Sequence, residues 1–168
     1  MSKYVFQEEN HCYEFNFEAE YAVELNEKYR SLLLSDVDYV VETKDKVLLV
    51  EYKNSTISTV VNPEAFESKV RSDEHYMKIA RKYYDSLIYL MASNKFKTYE
   101  YVYVLECKVA DSVTRKQLTA KIMKYLPFEL QKDPDIKHEM ISNFAVLNIE
   151  EWNNSYGQDF PITTVTTK

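Results

Sequence analysis

Residues 35–53 have the sequence SDVDYVVETKDKVLLVEYK, in which a short polar connector separates two β-rich runs. The second run, 46–53, is almost continuously apolar before it ends in charged residues. Such a run is typical of a central strand that is covered on both faces. The connector has hairpin length, so the sequence predicts that the two runs pair, and its lack of Gly or Asn favours a loop longer than two residues.

The charges at the end of the second run are unusual. Strand alternation sends Asp38 to one face of the first run, and Glu51 and Lys53 to one face of the second. If the runs pair, these three side chains project from the same face. Buried charges are costly unless they are paired or bind a metal. We therefore expect a functional site at this end of the sheet.

The rest of the chain alternates between β and helical patterns. The predicted elements in chain order are a strand at 13–17, a helix over 18–34, the strands 35–42 and 46–53, a long helix over 63–93, a strand at 98–106, a helix over 111–126 and a strand at 143–149, followed by a polar tail. This order predicts an α/β protein with a mixed sheet flanked by helices.

Composition excludes several classes of protein. The 168 residues, 45% of them hydrophobic, fit one domain, and the single glycine, Gly157, excludes Gly-rich phosphate loops. The net charge of −6 argues against coating nucleic acid by bulk electrostatics. Cys12 and Cys107 show no metal or disulfide spacing, and we find neither a signal peptide nor a membrane span. We expect a cytoplasmic protein with no membrane partner.

The pattern of Asp38 followed by Glu51-Tyr52-Lys53 resembles the PD-(D/E)XK nuclease superfamily. The order of elements over 18–106 also resembles the core of that superfamily. The resemblance implies one nuclease-like domain over 1–168, with its core at about 18–150, and a restriction-endonuclease-like three-layer sandwich. Neither Asp36 nor Asp38 follows the proline of the motif, so the choice between these two aspartates stays open.

The resemblance implies a metal-dependent nuclease that hydrolyses DNA phosphodiester bonds. Asp38, Glu51 and the carbonyl of Tyr52 would hold Mg²⁺ or Mn²⁺, and Lys53 would assist the attacking water. Related nucleases often place another ligand on the first helix, and the predicted geometry favours Glu24 for that role, with Glu20 as the alternative.

A local excess of positive charge follows the third strong strand. Its members, expected to contact nucleic acid, are Lys108, Arg115, Lys116, Lys121 and Lys124. The basic residues of the long helix, which include Lys82, are balanced by acidic neighbours and favour a scaffold role. The second Glu-x-Lys copy, Glu106-Cys107-Lys108, has no paired aspartate on a preceding strand, which indicates a structural role.

Other functions remain open at this point. A catalytically inactive relative could keep the fold as a binding or assembly module, and a small acidic protein could neutralise the basic surface of a partner. A homodimer fits the nuclease hypothesis, because cutting both strands of a duplex needs two sites.

Overall fold

A computed structural model of the chain describes residues 1–25, 34–57 and 62–165. The strands are β1 (Ser2–Gln7), β2 (Tyr13–Ala19), β3 (Tyr21–Glu24), β4 (Tyr39–Glu42), β5 (Lys46–Asn54), β6 (Thr98–Glu106), β7 (Asn143–Leu147) and β8 (Ile162–Thr164). The helices are α1 (Pro63–Glu67), α2 (Asp73–Ala92), α3 (Ser112–Met123) and α4 (Ile149–Tyr156).

Five strands form the central sheet, in the order β3-β4-β5-β6-β7. The first three are antiparallel neighbours, whereas β5, β6 and β7 run parallel and are joined through the helical segments α1–α2 and α3. The predicted hairpin is confirmed, with Tyr39 opposite Val50. Its three-residue connector is closed by Thr43, whose N–H donates to the carbonyl of Lys46 over 2.9 Å.

Different layers cover the two faces of the central sheet. On one face, α2 and α3 pack on sheet residues such as Leu49 and Tyr101. On the other face, a small antiparallel sheet in the order β1-β2-β8 and helix α4 bury Phe17 and Trp152 against Val50. The prediction of a mixed α/β fold is confirmed. The expected helical cover is complete on one face only, because a second sheet shares the other face with α4.

The first predicted helix is wrong over residues 18–24, which form the end of β2, a bend at Glu20 and strand β3. The rest of that prediction, 26–33, lies outside the described residues. Strand β3 is covered on both faces, so Ala22 and Val23 are both buried and no two-residue alternation is visible. Together with Tyr21 and Leu25, these apolar residues fall at the spacing of three and four residues that is typical of a helix, although the backbone is extended.

Two further boundaries differ from the predictions. The long helix is two helices, because Ser72 caps the start of α2 by accepting the N–H of His75. Helix α4 lies in the segment interpreted as a polar tail. Its capping box between Asn148 and Glu151 was a usable sequence signal for that helix.

In the part of the chain that the structure describes, no helix is both long enough and apolar enough to cross a membrane.

Candidate active site at the end of the central sheet

Asp38 is fixed against the strand that bears the other predicted site residues. It directly precedes β4, and its Oδ2 accepts a hydrogen bond of 2.7 Å from the backbone N–H of Tyr52. Glu51 and Lys53 flank Tyr52 in β5. The structure therefore brings the two halves of the predicted motif together, as the hairpin register requires.

Glu51 lies beneath this site and faces helix α2. It is only 6% exposed, and Nζ of Lys82 lies 2.9 Å from its Oε2. The same ammonium group donates to the carbonyl of Asp36 over 2.8 Å. The contact with Glu51 is an ion pair without favourable hydrogen-bond geometry, and among the described residues Oε2 has no hydrogen-bond partner. The buried carboxylate thus has a neutralising charge but an unsatisfied oxygen.

The carboxylates of Glu51 and Asp38 influence each other. Burial raises the pKa of Glu51 to about 8, the negative charge of Asp38 adds to this effect, and Lys82 opposes it. Burial alone would lower the pKa of Lys82, but the charges of Glu51 and Asp38 raise it above its ordinary value. Two carboxylates close enough to repel each other form an environment that favours a cation.

Lys82 is the residue that the sequence analysis missed. Its charge was interpreted as balanced by acidic residues elsewhere on the helix. The helical spacing held a signal, because Lys82 shares the buried face of α2 with Ile79 and Ser86. A lysine in the middle of a buried helix face needs a partner, and here that partner is Glu51.

The next turn of α2 fixes the segment that precedes Asp38. Oδ2 of Asp85 accepts the N–H of Ser35 over 2.8 Å, and Oγ of Ser86 accepts the N–H of Val37 over 3.0 Å. These backbone groups bond to helix side chains, and β4 begins at Tyr39 rather than at the predicted residue 35.

The other candidate aspartate, Asp36, is buried. Burial and the charge of Asp85 raise its pKa. Asp38, by contrast, bonds directly to the strand of Glu51. The geometry therefore favours Asp38 as the acidic partner of Glu51.

A cleft of about 530 Å³ opens beside Asp38 and is called the carboxylate cleft below. Its lining residues are Gln7, Glu8, Glu9, Asn10, His11, Glu24, Asp38, Tyr39, Tyr52, Lys53 and Asn54. Glu24 thus reaches the predicted site from strand β3, where it pairs with Tyr39, rather than from a helix. Glu20, the alternative ligand, lies at the opposite end of the sheet and forms an ion pair of 3.0 Å with Lys97.

Glu8 has a structural role in the wall of the carboxylate cleft. It is 3% exposed, and its carboxylate accepts the backbone N–H groups of Asn10, Cys12 and Tyr13 over 2.8, 2.6 and 3.3 Å. These bonds hold the turn between β1 and β2. The carboxylate of Glu8 is therefore used in hydrogen bonds to the backbone.

Lys53 is exposed at the rim of the cleft. Its Nζ lies 5.8 Å from the centroid of the Phe66 ring. The ammonium group therefore sits on the same side of the sheet as helix α2 and has access to solvent.

The donor set fits a hydrated cation better than a closed metal cage. Within residues 1–25, 34–57 and 62–165, no three or more His, Cys, Asp or Glu side chains are grouped to bind a metal. Magnesium, however, keeps several waters and is commonly held by one or two carboxylates together with substrate phosphates. Asp38 lines the carboxylate cleft and the neighbouring Glu51 supplies a second carboxylate, but Oε2 of Glu51 is buried against Nζ of Lys82 and Glu51 does not line the cleft. Tyr52 contributes its N–H to Asp38, and its carbonyl as a ligand stays a prediction.

The predicted basic surface loses one member. Arg115 is 8% exposed, and its guanidinium forms two hydrogen bonds of 2.8 Å with the carboxylate of Glu151 and one with the carbonyl of Ala110. Buried and paired in this way, it is not placed to bind phosphate. The lysines at 108, 116, 121 and 124 are exposed.

The second Glu-x-Lys copy has the structural role that its context indicated. Oε1 of Glu106 accepts the backbone N–H of Ile149 over 2.7 Å, at the start of α4. Its carboxylate therefore holds a helix end.

A larger cavity of about 930 Å³ lies at the other end of the central sheet. Leu87, Met91, Phe96, Tyr99 and Met140 give it a mainly apolar lining, with charged residues at the rim. It contains none of the predicted site residues, so size alone does not mark the site of chemistry here.

Comparison with known proteins adds no family to this geometry. No family model matches the chain, and searches of curated proteins and of solved structures find no significant match.

Proposed function

We propose that this protein is a Mg²⁺- or Mn²⁺-dependent nuclease that hydrolyses DNA phosphodiester bonds. The observation that supports this most directly is that Asp38, just before β4, accepts the N–H of Tyr52, the residue that follows Glu51 in the neighbouring strand β5. Two adjacent carboxylates and a nearby lysine are the groups needed to hold a hydrated divalent cation and orient a water molecule.

The topology supports a restriction-endonuclease-like sandwich as the fold. Strands β4 and β5, the helical segment α1–α2 and strand β6 follow one another in the order that the sequence resemblance implies. The motif residues lie just before the start of β4 and near the end of β5, at one end of a five-stranded mixed sheet.

Each residue has a definite role in this proposal. Asp38 and Glu51 bind the cation, and Glu24, on β3, lines the carboxylate cleft together with Asp38. Lys82 holds Glu51 in place and favours its ionised form. Lys53, exposed at the rim, orients the attacking water or stabilises the charge on the phosphate oxygens. When bound, the divalent cation would lower the pKa of a water molecule and neutralise charge on the phosphate.

An inactive binding or assembly module is the second candidate function. It is favoured by the ion pair that Lys82 already forms with Glu51, and by the net charge of −6. The protein would then use its surfaces rather than the carboxylate pair. A cytoplasmic location is part of both proposals.

Cleavage assays test the nuclease proposal. Purified protein is incubated with DNA and RNA in Mg²⁺, in Mn²⁺ and in chelator, and Asp38→Asn and Glu51→Gln are compared with Glu106→Gln. The last variant is a matched control, because Glu106 belongs to the other Glu-x-Lys copy but keeps an acceptor for Ile149 as glutamine.

We expect metal-dependent cleavage by the wild type and by Glu106→Gln, and a loss of about 100-fold or more in the two site variants. Circular dichroism verifies that each variant is folded. Undiminished cleavage in both site variants contradicts the proposal. Absence of cleavage together with absence of Mn²⁺ uptake in calorimetry supports the inactive module.

A further inference from the structure

Three lysines surround the carboxylate pair on the side of helix α2. Lys82 contacts Glu51 directly, and Lys78 lies one turn earlier on the same helix. At 3.6 residues per turn, these two lysines are about 40° apart around the helix axis. Lys53 follows Glu51 by two residues, so its side chain leaves β5 on the same face.

Two of these lysines are available to a ligand. The side chain of Lys82 is 16% exposed and already contacts Glu51 and the carbonyl of Asp36. Lys53 and Lys78 are exposed, and among the described residues neither forms an ion pair. Exposed lysines beside buried carboxylates are suited to phosphates that approach the same point from solvent.

An aromatic floor lies between these two lysines. The ring of His75 meets Phe66 edge to face at 5.5 Å, and its Nε2 lies 3.4 Å from the hydroxyl of Tyr103. Phe66 lies under the ammonium of Lys53. Burial, with the charge of Lys78 as a second cause, lowers the pKa of His75 to about 4, so this floor is uncharged at neutral pH. The positive charge is therefore concentrated on the two lysines.

Helix α3 offers no comparable track. Arg115 is paired with Glu151, and Lys116 and Lys121 are about 140° apart around the helix axis. Lys121 and Lys124 also lie at the end of α3 that is remote from its start beside β6. Phosphates bound along this helix would not follow one line to the carboxylates.

We propose that Lys53 binds the phosphodiester presented to Asp38 and Glu51 and that Lys78 binds a backbone phosphate that flanks it. The nucleic acid then crosses the first half of α2 instead of running along α3. This inference rests on the proposed nuclease function and specifies how the substrate lies at that site. Lys78 is a substrate-positioning residue, because it contacts phosphates that do not react.

Fluorescence anisotropy with labelled DNA in chelator tests this placement without cleavage. The proteins compared are the wild type, Lys78→Gln, Lys53→Gln and the surface control Lys44→Gln, each over a series of salt concentrations. Lys44 is exposed in the connector between β4 and β5, at the opposite end of the sheet from Asp38. We expect Lys78→Gln and Lys53→Gln each to weaken binding by about tenfold at low salt. Each should also reduce the slope of log K against log salt by about 1, whereas Lys44→Gln leaves both quantities unchanged.

The outcomes separate this inference from the proposed function. Wild-type protein that does not bind DNA, or binding that is insensitive to Lys78→Gln and Lys53→Gln, overturns the inference. An equal loss in Lys44→Gln also overturns it, because the effect is then one of general charge. If binding depends on Lys53 and Lys78 but neither Mg²⁺ nor Mn²⁺ supports cleavage, the nuclease proposal is wrong. The inference that these two lysines bind phosphate is then still supported.

Discussion

Nζ of Lys82 lies 2.9 Å from Oε2 of Glu51, so a lysine of α2 neutralises a carboxylate of β5 where the helix packs on the central sheet. Lys82→Met removes that charge and leaves Glu51 buried. Breaking a buried pair from one side is strongly destabilising, so we expect the free energy of unfolding to fall by about 3 kcal/mol. Urea denaturation at pH 9 measures the change, because Glu51, whose pKa burial raises to about 8, is then ionised in the wild type.

The matched control for that variant is Lys116→Met on the exposed side of α3, which should change stability by less than about 0.5 kcal/mol. The double variant Glu51→Leu/Lys82→Met should recover much of the loss, because an apolar pair leaves no buried charge. A loss below about 1 kcal/mol in Lys82→Met would show that the ion pair is unimportant for stability.

Substitution of Lys53 should lower turnover without weakening metal binding. Lys53 lies at the rim of the carboxylate cleft and forms no ion pair with the two carboxylates in the described structure. We expect Lys53→Ala to keep Mn²⁺ affinity in calorimetry and to lose about 100-fold in kcat, as happens when one group that stabilises transition-state charge is removed. Lys108→Ala, in the second Glu-x-Lys copy, is the control and should keep its kcat. Unchanged turnover in Lys53→Ala would exclude this lysine from the reaction.

Arg115 should matter for stability and not for nucleic-acid binding. Its paired bonds to Glu151 join α3 to the start of α4. Arg115→Gln leaves Glu151 with fewer partners and should lower the free energy of unfolding by about 2 kcal/mol, measured by denaturation in urea. DNA affinity, measured well below the midpoint of unfolding, should not change. If Arg115→Gln lost DNA affinity but kept the stability of the wild type, Arg115 would belong to the nucleic-acid-binding surface after all.

His75 should make the fold sensitive to acid. Its pKa falls from an ordinary 6.5 to about 4 because of burial and the charge of Lys78. Between these values the unfolded chain binds a proton that the folded chain excludes, so this contribution to stability is present above pH 6.5 and is lost as the pH falls toward 4.

His75→Phe keeps an aromatic ring against Phe66 but cannot titrate. The stability of the wild type relative to this variant should therefore decline as the pH falls, by at most about 3 kcal/mol. Parallel curves of unfolding free energy against pH for the two proteins would show that His75 does not titrate in this way.

The sequence alone determined the centre of the fold and that an aspartate at 36 or 38 meets Glu51, whereas the hydrogen bond from Tyr52 selected Asp38. The apolar run of β5 and the short connector before it favour a buried hairpin, because strands joined by so short a connector have few other ways to pair. The strand at 98–106 was predicted with its observed bounds, and the helix predicted over 111–126 is observed as α3, capped by Asp111, which accepts the N–H of Thr114.

Only the tertiary structure decided which charges meet. Lys82 and Arg115 look alike in the sequence, as basic residues in helices, yet packing directs one to Glu51 and the other to Glu151. Glu24 likewise reaches the carboxylate cleft from a strand covered on both faces, where the pattern of apolar residues does not distinguish strand from helix. Local periodicity records which positions are buried, whereas the partner of a buried charge depends on elements that are distant in the chain and meet only when the layers pack.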